Sequence, residues 1–385
     1  MKNPTPKIVT VIQRVLLHYR KPFFELLRKE MAHRGMELRL IYGQYAERER
    51  AKGDEVDISW GRKIRNRYLG RKEKAPVYQP CLISALRSDL IVVEQAARLA
   101  LNYLLQISCP VAGVRLVFWG HGKNLNEERS GSFGERVKPR NHLGIDRWFA
   151  YTDLSAAAME AAGIPGDRIT TLNNSVDTGE LRELSGSITE EQSREVRTCL
   201  GLGHGPVGIF CGSLYKEKRI DFLIEAAQRI RSRIPDFHLL VAGNGPESDT
   251  MERAAGSCSF IHFAGPAYGI EKALLFAVGD VTLNPGAVGL GILDSFVFRV
   301  PTVTTQSGHH GPEIAYLENG TNGFVAEDTI DAYVSCVVAL LKDPGRLTIA
   351  KDACRESAGK YTLTNMVARF LEGVELALGK QRIRA

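Results

Sequence analysis

The sequence predicts an α/β protein built of two doubly wound domains, each a mostly parallel sheet covered by helices. The 385-residue length exceeds one ordinary core and suits two domains. Short β-branched or aromatic runs alternate with amphipathic helical segments, which implies right-handed crossovers between parallel strands. The alternation weakens between Thr178 and Pro206 and then restarts, as expected of a connection between two domains.

In the first half, the predicted strands are short apolar runs at 7–12, 37–42, 89–94, 115–119 and 147–151. Helices are predicted between them, at 22–34, 96–107 and 153–162, because their apolar residues recur at helical spacing. The basic, glycine-punctuated stretch 60–74 is predicted to be a long exposed loop. Residues 1–180 are therefore expected to form a first domain.

Predicted strands and helices alternate more clearly in the second half of the chain. Strands are predicted at 207–212, 237–243, 260–265, 280–286 and 301–305, and helices at 219–233, 246–256, 270–278, from 289 onward, 328–341 and 364–378. We predict a linker at 181–205, a second domain at 206–362, and a C-terminal helix at 363–385 that either stays with this domain or crosses back to the first. Ligands of such sheets bind beyond the carboxyl ends of the strands, so a cleft between the domains is expected.

Charge divides the chain into unlike halves. The formal net charge is +6, yet residues 1–182 hold 30 basic and 20 acidic side chains and the remainder hold 20 and 24. A basic half attracts nucleic acid, anionic lipid headgroups or phosphorylated substrates, and net charge alone does not choose among them.

Composition excludes several classes of protein. Hydrophobic residues at 44% and charged residues at 24% are typical of globular chains. The seven cysteines are widely spaced without a C-x-x-C, which argues against a disulfide framework or a structural zinc site. The least polar stretch, 99–114, falls short of the ~20 apolar residues of a spanning helix. We expect a cytoplasmic protein, soluble or peripheral on the inner face of the cell membrane.

A first candidate anion site follows the first strand of the second domain. Gly212 lets the backbone approach a ligand, and Lys216, Lys218 and Arg219 lie just before or at the start of a predicted helix, whose N-terminus favours negative charge. The segment suits a pyrophosphate, and it is equally consistent with a solvated basic turn.

A second candidate segment spans 284–305. Gly286 follows a predicted strand, and Gly289 opens a predicted helix, so that the amides of Gly289 and Leu290 would point at an anion. Asp294, about a turn further on, would accept hydrogen bonds from a ribose, or else be a simple helix charge.

Taken together, these motifs resemble the retaining glycosyltransferases of family 4, also called group 1, whose GT-B fold has two Rossmann-like domains facing an interdomain cleft. The family reads G-R-L-x-x-x-K-G after the first strand of its second domain, then G-x-G-P, F-x-G, two glutamates eight positions apart around G-F-G-L, a proline, and P-E. The residues at these positions are, in order, Gly212, Ser213, Leu214, Lys218, Gly243, Gly245, Pro246, Phe263, Gly265, Gly286, Gly289, Leu290, Asp294, Pro301, Pro312 and Glu313. Residues 174–177 are similar to the N-G-V-D that closes the family's first domain, so the ordered match covers about 170–330.

The chain departs from this pattern at defined positions. Ser213 replaces the family's arginine and Gly286 replaces the first glutamate, which removes one phosphate contact and one contact to the donor sugar. Val288 belongs to a P-G-x-V-G-L sequence similar to that of a shorter branch of the family, which favours a working variant. The family's glycine-rich loop after the first strand is absent, and Arg14, His18 and Arg20 occupy that region.

The resemblance implies transfer of a sugar from a UDP or GDP sugar to a glycan or polyprenyl-diphosphate-linked acceptor, in bacterial surface polysaccharide, lipopolysaccharide or glycolipid synthesis. Preorganised positive groups would stabilise the departing diphosphate without a metal, and no cofactor besides the donor is expected. Asp294 would hold the ribose, and the base would stack near Gly265 and Pro266. The other implied donor contacts are Gly212, Ser213, Lys218, Arg219, Gly286, Val288, Gly289 and Leu290.

Candidates in the first domain follow its predicted strands. His121 would contact the donor sugar or shuttle a proton near neutral pH, although a histidine after a strand is also commonly structural. Arg14, His18 and Arg20 are expected to contact the acceptor or a phosphate. His309 and His310 are candidates for contact with the donor, or else lie in an exposed loop, and Glu94 is a further candidate for the cleft.

The basic first half has a natural partner in this setting. Six basic or aromatic residues of the stretch 60–74 are predicted to form an interfacial patch that contacts an anionic membrane surface, or else to lie in a solvated loop. They are Trp60, Arg62, Lys63, Arg65, Arg67 and Tyr68.

Three alternatives remain open from the sequence. Ser213 and Gly286 are also consistent with a non-catalytic partner subunit that keeps a relic donor pocket. A GT-B epimerase or phosphorylase is a second alternative, although no phosphorylase-type lysine motif is evident. Nucleic-acid binding is the weakest, because the basic residues lack a reader motif, and no nucleic-acid partner is expected.

Overall fold

A computed structural model describes residues 5–47, 49, 53–70, 75–122, 144–307 and 310–379. The chain divides into two compact units. The first comprises Met1–Asp177 together with Leu363–Ala385, and the second comprises Thr178–Thr362.

The first unit is built on a seven-stranded sheet of β1 (Lys7–Gln13), β2 (Met36–Tyr42), β3 (Arg62–Lys63), β6 (Leu90–Glu94), β7 (Arg115–Gly120), β8 (Arg147–Ala150) and β9 (Ile169–Thr171). The strand order is β3-β2-β1-β6-β7-β8-β9, and neighbouring strands are parallel. A separate antiparallel pair joins β4 (Arg67–Tyr68) to β5 (Val77–Tyr78). The helices of this unit are α1 (Lys21–His33), α2 (Leu82–Ala85), α3 (Ala100–Ala112), α4 (Asp153–Ala161) and, at the C-terminus, α13 (Leu363–Gly379).

Helix α13 belongs to the core of the first unit. Phe370 lies between the rings of Phe149, Phe23 and Trp119, at centroid distances of 4.8, 5.5 and 5.5 Å. Gly373 has no room for a side chain, because a Cβ there would lie 2.9 Å from Cζ of Phe149. Burial of this apolar face holds the last helix on the first sheet.

The second unit contains a parallel sheet of β10 (Val207–Cys211), β11 (His238–Ala242), β12 (Ile261–Phe263), β13 (Val281–Leu283), β14 (Thr302–Thr305) and β15 (Gly323–Ala326). Its strand order is β12-β11-β10-β13-β14-β15. The helices are α5 (Gly179–Ser187), α6 (Glu190–Cys199), α7 (Ile220–Arg233), α8 (Ser248–Ser257), α9 (Gly269–Ala277), α10 (Ile292–Val297), α11 (Ile330–Leu341) and α12 (Pro344–Lys360). Both sheets are doubly wound and Rossmann-like, as the sequence predicts.

Several segments differ from the sequence-based expectations. Residues 181–205, predicted as a linker, fall largely in α5 and α6, and Thr189 and Gln192 form a capping box that begins α6. Part of the stretch 60–74 pairs as strands β3 and β4 instead of forming a loop throughout. The helix expected to open at 289 begins at Ile292.

Candidate functional site

In the second unit, the carboxyl ends of β10 and β13 lie side by side at the point where the strand order reverses. This topological switch point is where doubly wound sheets bind their ligands. The loops that follow these two strands, 212–219 and 284–291, contain most of the residues that the sequence singles out.

Backbone hydrogen bonds join the loops at this edge of the sheet. The amide of Gly212 donates to Ala242 O at 2.9 Å, Leu214 N donates to Asn244 O at 2.9 Å, and Gly243 N donates to Gly265 O at 2.8 Å. A Cβ on Gly245 would lie 2.7 Å from the carbonyl carbon of Leu214. The glycines therefore allow the three loops to pack backbone against backbone, while Ser213 and Pro266 remain exposed.

Lys218 ends a short 3-10 turn, Lys216–Lys218, that follows β10. Its ammonium donates to the carbonyl of Ala287, and burial lowers the pKa of Lys218 to about 8. Within the described parts of the chain, no carboxylate forms an ion pair with it. Lys218 is thus a partly buried positive charge at the switch point, available to an anion.

Gly286 holds the second loop against this turn. A Cβ at position 286 would lie 2.6 Å from the carbonyl carbon of Lys218 and 2.7 Å from its Cα, and closer still to the carbonyl oxygen of Glu217. The amide of Ala287 donates to that same oxygen at 2.8 Å. The family's first glutamate therefore cannot be accommodated on this backbone, which explains the glycine.

Hydrogen bonds to His310 hold the backbone that follows Gly286 in place. Val288 is buried, and its amide donates to Nδ1 of His310 at 3.1 Å, while Nε2 of His310 lies 2.7 Å from the carbonyl oxygen of Thr305. His310 therefore braces the loop, whereas His309 lies outside the described residues. Gly289 borders open space, because a Cβ there would meet no atom within 4 Å.

Asp294, predicted to hold a ribose, lies on α10 in an ion pair with Lys272 of α9. Burial raises the pKa of Asp294, and the Lys272 ammonium opposes that rise. Burial lowers the pKa of Lys272, but the carboxylate beside it makes the net change upward. Cys211, at the end of β10, adjoins the pair, and burial raises its pKa to about 11. Sequence reasoning missed Lys272, whose only signal is a lysine within an otherwise mostly apolar helix.

Arg219, predicted to contact the diphosphate, is engaged elsewhere. Its guanidinium forms an ion pair with Asp328, donates to Oγ1 of Thr305 at 3.1 Å and lies 4.3 Å from the ring centroid of Phe222. The residue itself has a left-handed backbone, with φ of 58°. These contacts favour a bracing role, because the charge already has a counter-ion.

In the first unit, the corresponding switch point lies between β1 and β6. The amide of Arg14 donates to Oε2 of Glu94 at 3.0 Å, and its guanidinium donates to Oε2 of Glu49 at 2.8 Å and to the hydroxyl of Tyr68 at 3.3 Å. Burial raises the pKa of Glu94. The structure therefore brings Arg14 and Glu94 together, while His18 lies exposed beyond them.

Arg20 is buried instead of open to a ligand. It is 4% exposed, and its guanidinium carbon lies 4.8, 5.2 and 5.7 Å from the ring centroids of Trp119, Tyr19 and Tyr151. This aromatic enclosure leaves the Arg20 side chain little exposed surface, and its contact with the acceptor or a phosphate stays a prediction.

His121 follows β7 and packs against Tyr151, with ring centroids 5.5 Å apart. Its Nδ1 is buried and has no hydrogen-bond partner among the described residues. Burial lowers the pKa of His121, so the imidazole is neutral at pH 7. Such a ring is able to accept or donate one proton.

The described residues contain neither a metal-binding cluster nor a membrane-spanning helix. No group of three or more His, Cys, Asp or Glu side chains there is arranged to hold a metal ion. Nor is any helix in those ranges long and apolar enough to span a membrane.

Most of the second unit is similar to a known family of proteins. Residues 205–343 match the family model described as glycosyl transferases group 1. A GDP-mannose-dependent alpha-(1-6)-phosphatidylinositol monomannoside mannosyltransferase of Mycolicibacterium smegmatis is 34% identical over 164 residues, covering 39% of this chain and 42% of that protein. The alpha-D-kanosaminyltransferase of Streptomyces kanamyceticus is 27% identical over 184 residues, covering 46% and 47%. The chain thus aligns with about half the length of these curated relatives, or less.

Solved structures match over nearly the whole chain. Anabaena Alr3699/HepE in complex with UDP has a TM-score of 0.69 at 17% identity, covering 96% of this chain and 99% of that one. A glycosyltransferase from Rickettsia africae has a TM-score of 0.70 at 14% identity, covering 98% and 100%. The chain therefore has the GT-B fold, and residues 205–343 resemble the group 1 glycosyltransferases.

Proposed function

We propose that this protein is a glycosyltransferase that moves a sugar from a UDP or GDP sugar to a glycan or lipid-linked acceptor, with retention of anomeric configuration. The observation that carries the proposal is Lys218, a partly buried ammonium without a carboxylate partner in the described residues, at the switch point of a group 1 glycosyltransferase domain. A diphosphate is the anion that such a position suits.

Breaking the anomeric bond leaves negative charge on the departing diphosphate. Lys218 is placed to offset that charge, and its desolvated ammonium interacts more strongly with an anion than a solvated one would. The amides of Gly289 and Leu290 are proposed to add hydrogen bonds, supported by the open space beside Gly289. This arrangement needs no metal ion, and we propose a metal-independent reaction.

The remaining donor contacts are assigned to the loops at the same sheet edge. Asp294 is proposed to bind the ribose hydroxyls while Lys272 holds its carboxylate. The nucleotide base is proposed to lie near Gly265 and Pro266. In the first unit, His121 is proposed to contact the sugar or carry a proton, because its buried Nδ1 lacks a partner among the described residues.

The acceptor is proposed to be a glycan or a lipid-linked sugar, including a polyprenyl-diphosphate-linked one, in bacterial surface polysaccharide or glycolipid synthesis. The names of several relatives support the lipid-linked choice, since they specify phosphatidylinositol mannosides, and one is an alpha-monoglucosyldiacylglycerol synthase of Acholeplasma laidlawii. We propose that the protein is cytoplasmic and peripheral to the membrane.

The test is a donor-hydrolysis and transfer screen over UDP-, GDP-, dTDP- and CMP-sugars. We expect turnover of one UDP or GDP sugar by the wild type, and loss of at least about a hundredfold in Lys218→Ala and Asp294→Ala. Lys342→Ala, which removes an exposed lysine at the end of α11 in the same unit, is the control and should retain activity. Equal rates in all four proteins would refute the site assignment.

A non-catalytic subunit with a relic pocket is the second candidate. It is favoured by Gly286 in place of an acid and by Arg219, whose charge is already paired with Asp328. Calorimetry with UDP and GDP separates the two functions in part. Binding without turnover of any donor would favour the relic, and absence of binding to either nucleotide would contradict the donor site itself.

A further inference from the structure

Most of strand β2 is an open edge of the first sheet. The neighbouring strand β3 pairs only with the last two residues of β2, Ile41 and Tyr42. In the described parts of the chain, no other strand pairs with the outer side of β2. Residues 36–40, which we call the β2 edge, instead border a groove of about 770 Å³.

The backbone of the β2 edge has unused hydrogen-bonding groups. The carbonyl oxygen of Tyr42 accepts from Ile64 N at 2.8 Å, so the backbone of Tyr42 faces the β3 side. Alternate residues of a strand direct their backbone groups to the same side, and Met36, Leu38 and Leu40 therefore also point their N–H and C=O groups outward. Unpaired groups along such an edge are a template for a further strand.

The side chains of the β2 edge alternate between two environments. Met36, Leu38 and Leu40 are buried on the face of the sheet that packs against α1. Glu37 and Arg39 lie on the opposite face, with side chains 45% and 41% exposed, and form an ion pair with each other at 2.7 Å. The edge thus carries one acid and one base, two positions apart, on its exposed face.

This order of charges favours one pairing with a second copy of the chain. In an antiparallel pair centred on Leu38, that residue faces Leu38 of the second copy and Met36 faces Leu40, so all the outward backbone groups exchange hydrogen bonds. The same pairing sets Glu37 of each copy opposite Arg39 of the other. These are the non-hydrogen-bonded positions, where the two strands lie closest and opposite side chains interact most directly.

The neighbouring registers are unfavourable. Only alternate residues face outward, so the next register in either direction is shifted by two residues. One shift sets Glu37 opposite Glu37, and the other sets Arg39 opposite Arg39. Like charges directly opposite one another destabilise a strand pair. The β2 edge is therefore complementary to itself in the centred register and not in the two beside it.

We propose that the β2 edges of two copies of this chain pair antiparallel about a two-fold axis at Leu38, joining the two first-unit sheets into one. Each copy presents the same residues to the other, as a two-fold interface requires. The paired stretch is about 17 Å long at about 3.4 Å per residue. The inference does not depend on the proposed catalytic function.

A guanidinium beside the β2 edge gains a counter-charge in this pairing. Arg62 of β3 lines the same groove as Arg39 and has no acidic partner in the described residues. Because Arg62 pairs with Ile41, its side chain extends from the face that carries Arg39, and Glu37 of the second copy enters on that face. The two copies of Arg62 lie beyond opposite ends of the paired stretch, about 20 Å apart by strand rise, so their repulsion is screened at a Debye length of about 8 Å.

The experiment is sedimentation velocity of the full chain over a series of protein concentrations. We expect a reversible equilibrium between monomer and dimer for the wild type. Glu37→Arg and Arg39→Glu, each alone, set like charges opposite one another at two places in the dimer. Each should raise the dissociation constant at least about tenfold.

Two rescues distinguish strand pairing from a general loss of stability. The double variant Glu37→Arg/Arg39→Glu restores opposite charges and should dimerise like the wild type. An equal mixture of the two single variants should form a mixed dimer, because two acids of one chain then face two bases of the other. Glu252→Arg is the matched control, since Glu252 is an exposed acid on α8 of the second unit, and it should leave the equilibrium unchanged. Circular dichroism should show that all variants remain folded.

Three results would overturn the proposal. A wild type that stays monomeric at every concentration leaves the β2 edge to a different extended chain. A dimer whose dissociation constant neither single variant changes has its interface elsewhere. Single variants that lose the dimer without recovery in the double variant or in the mixture show that the loss has a cause other than pairing across the two strands.

Discussion

Replacing Gly286 by alanine tests whether the two loops at the switch point depend on direct backbone contact. The new Cβ would lie 2.6 and 2.7 Å from the carbonyl carbon and Cα of Lys218, whereas unstrained carbon contacts are about 3.5–4.0 Å. The loops must therefore separate by roughly 1 Å. That movement disrupts the hydrogen bond from Ala287 N to Glu217 O, at 2.8 Å, and displaces the Lys218 ammonium.

The loss of stability expected in Gly286→Ala has two causes. Overpacking a close-packed site costs about 1–3 kcal/mol, and the weakened hydrogen bond adds about 1 kcal/mol. A loss of about 3 kcal/mol lowers the Tm of a unit of this size by roughly 6–12 °C. Because Lys218 moves with its turn, we also expect weaker binding of UDP or GDP.

Gly289→Ala is the matched control, because a Cβ there would meet no atom within 4 Å. Differential scanning calorimetry should find its Tm within about 1 °C of the wild type. Titration calorimetry should nevertheless show weaker nucleotide binding, since the methyl group enters the space assigned to the phosphate. A Gly286→Ala variant with wild-type Tm and wild-type nucleotide affinity would refute the reasoning.

Three further predictions concern charged or titratable groups. Nucleotide affinity should fall as the pH rises above about 8, because burial lowers the pKa of Lys218 to about 8 and the neutral amine does not attract a diphosphate. Titration calorimetry should show this in the wild type and not in Lys218→Met, and a flat wild-type profile would contradict it. Lys272→Met should destabilise the second unit by about 3 kcal/mol at neutral pH, since it leaves the Asp294 charge buried without its counter-ion. Urea unfolding of Lys272→Met should show that part of the lost free energy of unfolding returns as falling pH protonates Asp294. The double variant Lys272→Met/Asp294→Leu should also regain stability, whereas a Lys272→Met variant as stable as the wild type would disprove the pairing argument. His121→Ala should lower the transfer rate about a hundredfold at unchanged nucleotide affinity, because the imidazole lies in the first unit and the nucleotide is assigned to the second. Steady-state kinetics with calorimetry would check this, and an unchanged rate would leave His121 a structural residue.

The lowered pKa of Lys218 also makes the free energy of unfolding depend on pH. At pH values below about 8 it is charged in both the folded and unfolded states, and the penalty of burying that charge is fully present. Between about 8 and its ordinary value of 10.5 the folded state loses the proton first, so the penalty is relieved. Stability and nucleotide affinity should therefore change in opposite directions over this pH range.

Local sequence signals located most strands and helices of both units. Buried parallel strands are short β-branched runs, and β1, β6 and β10 lie where those runs occur. Some missed elements also had signals. Thr189 and Gln192 have the spacing of a capping box, and Asp343 followed by Pro344 is a typical start of a helix, here α12.

The partners of charged side chains could not be predicted in the same way. Arg219 pairs with Asp328, which is 109 positions away, and Asp294 pairs with Lys272 from another helix. Arg20 lies over the ring of Trp119, which comes from the separate strand β7. Spacing along the chain identifies residues suited to bind an anion, but only the packing of separate elements decides which of them keep that charge available.

By itself the sequence determined the α/β class, the two-part organisation and the glycine-rich segments that follow β10 and β13, because periodicity and backbone freedom are local properties. The tertiary structure decided that Lys218 remains without an acidic partner in the described residues while Arg219 and Arg20 are engaged. It also decided that position 286 must be glycine, because a Cβ there would clash with the backbone of Lys218, 68 residues earlier in the chain. Contacts between distant segments depend on the order of the strands in the sheet, and no single segment of the sequence determines that order.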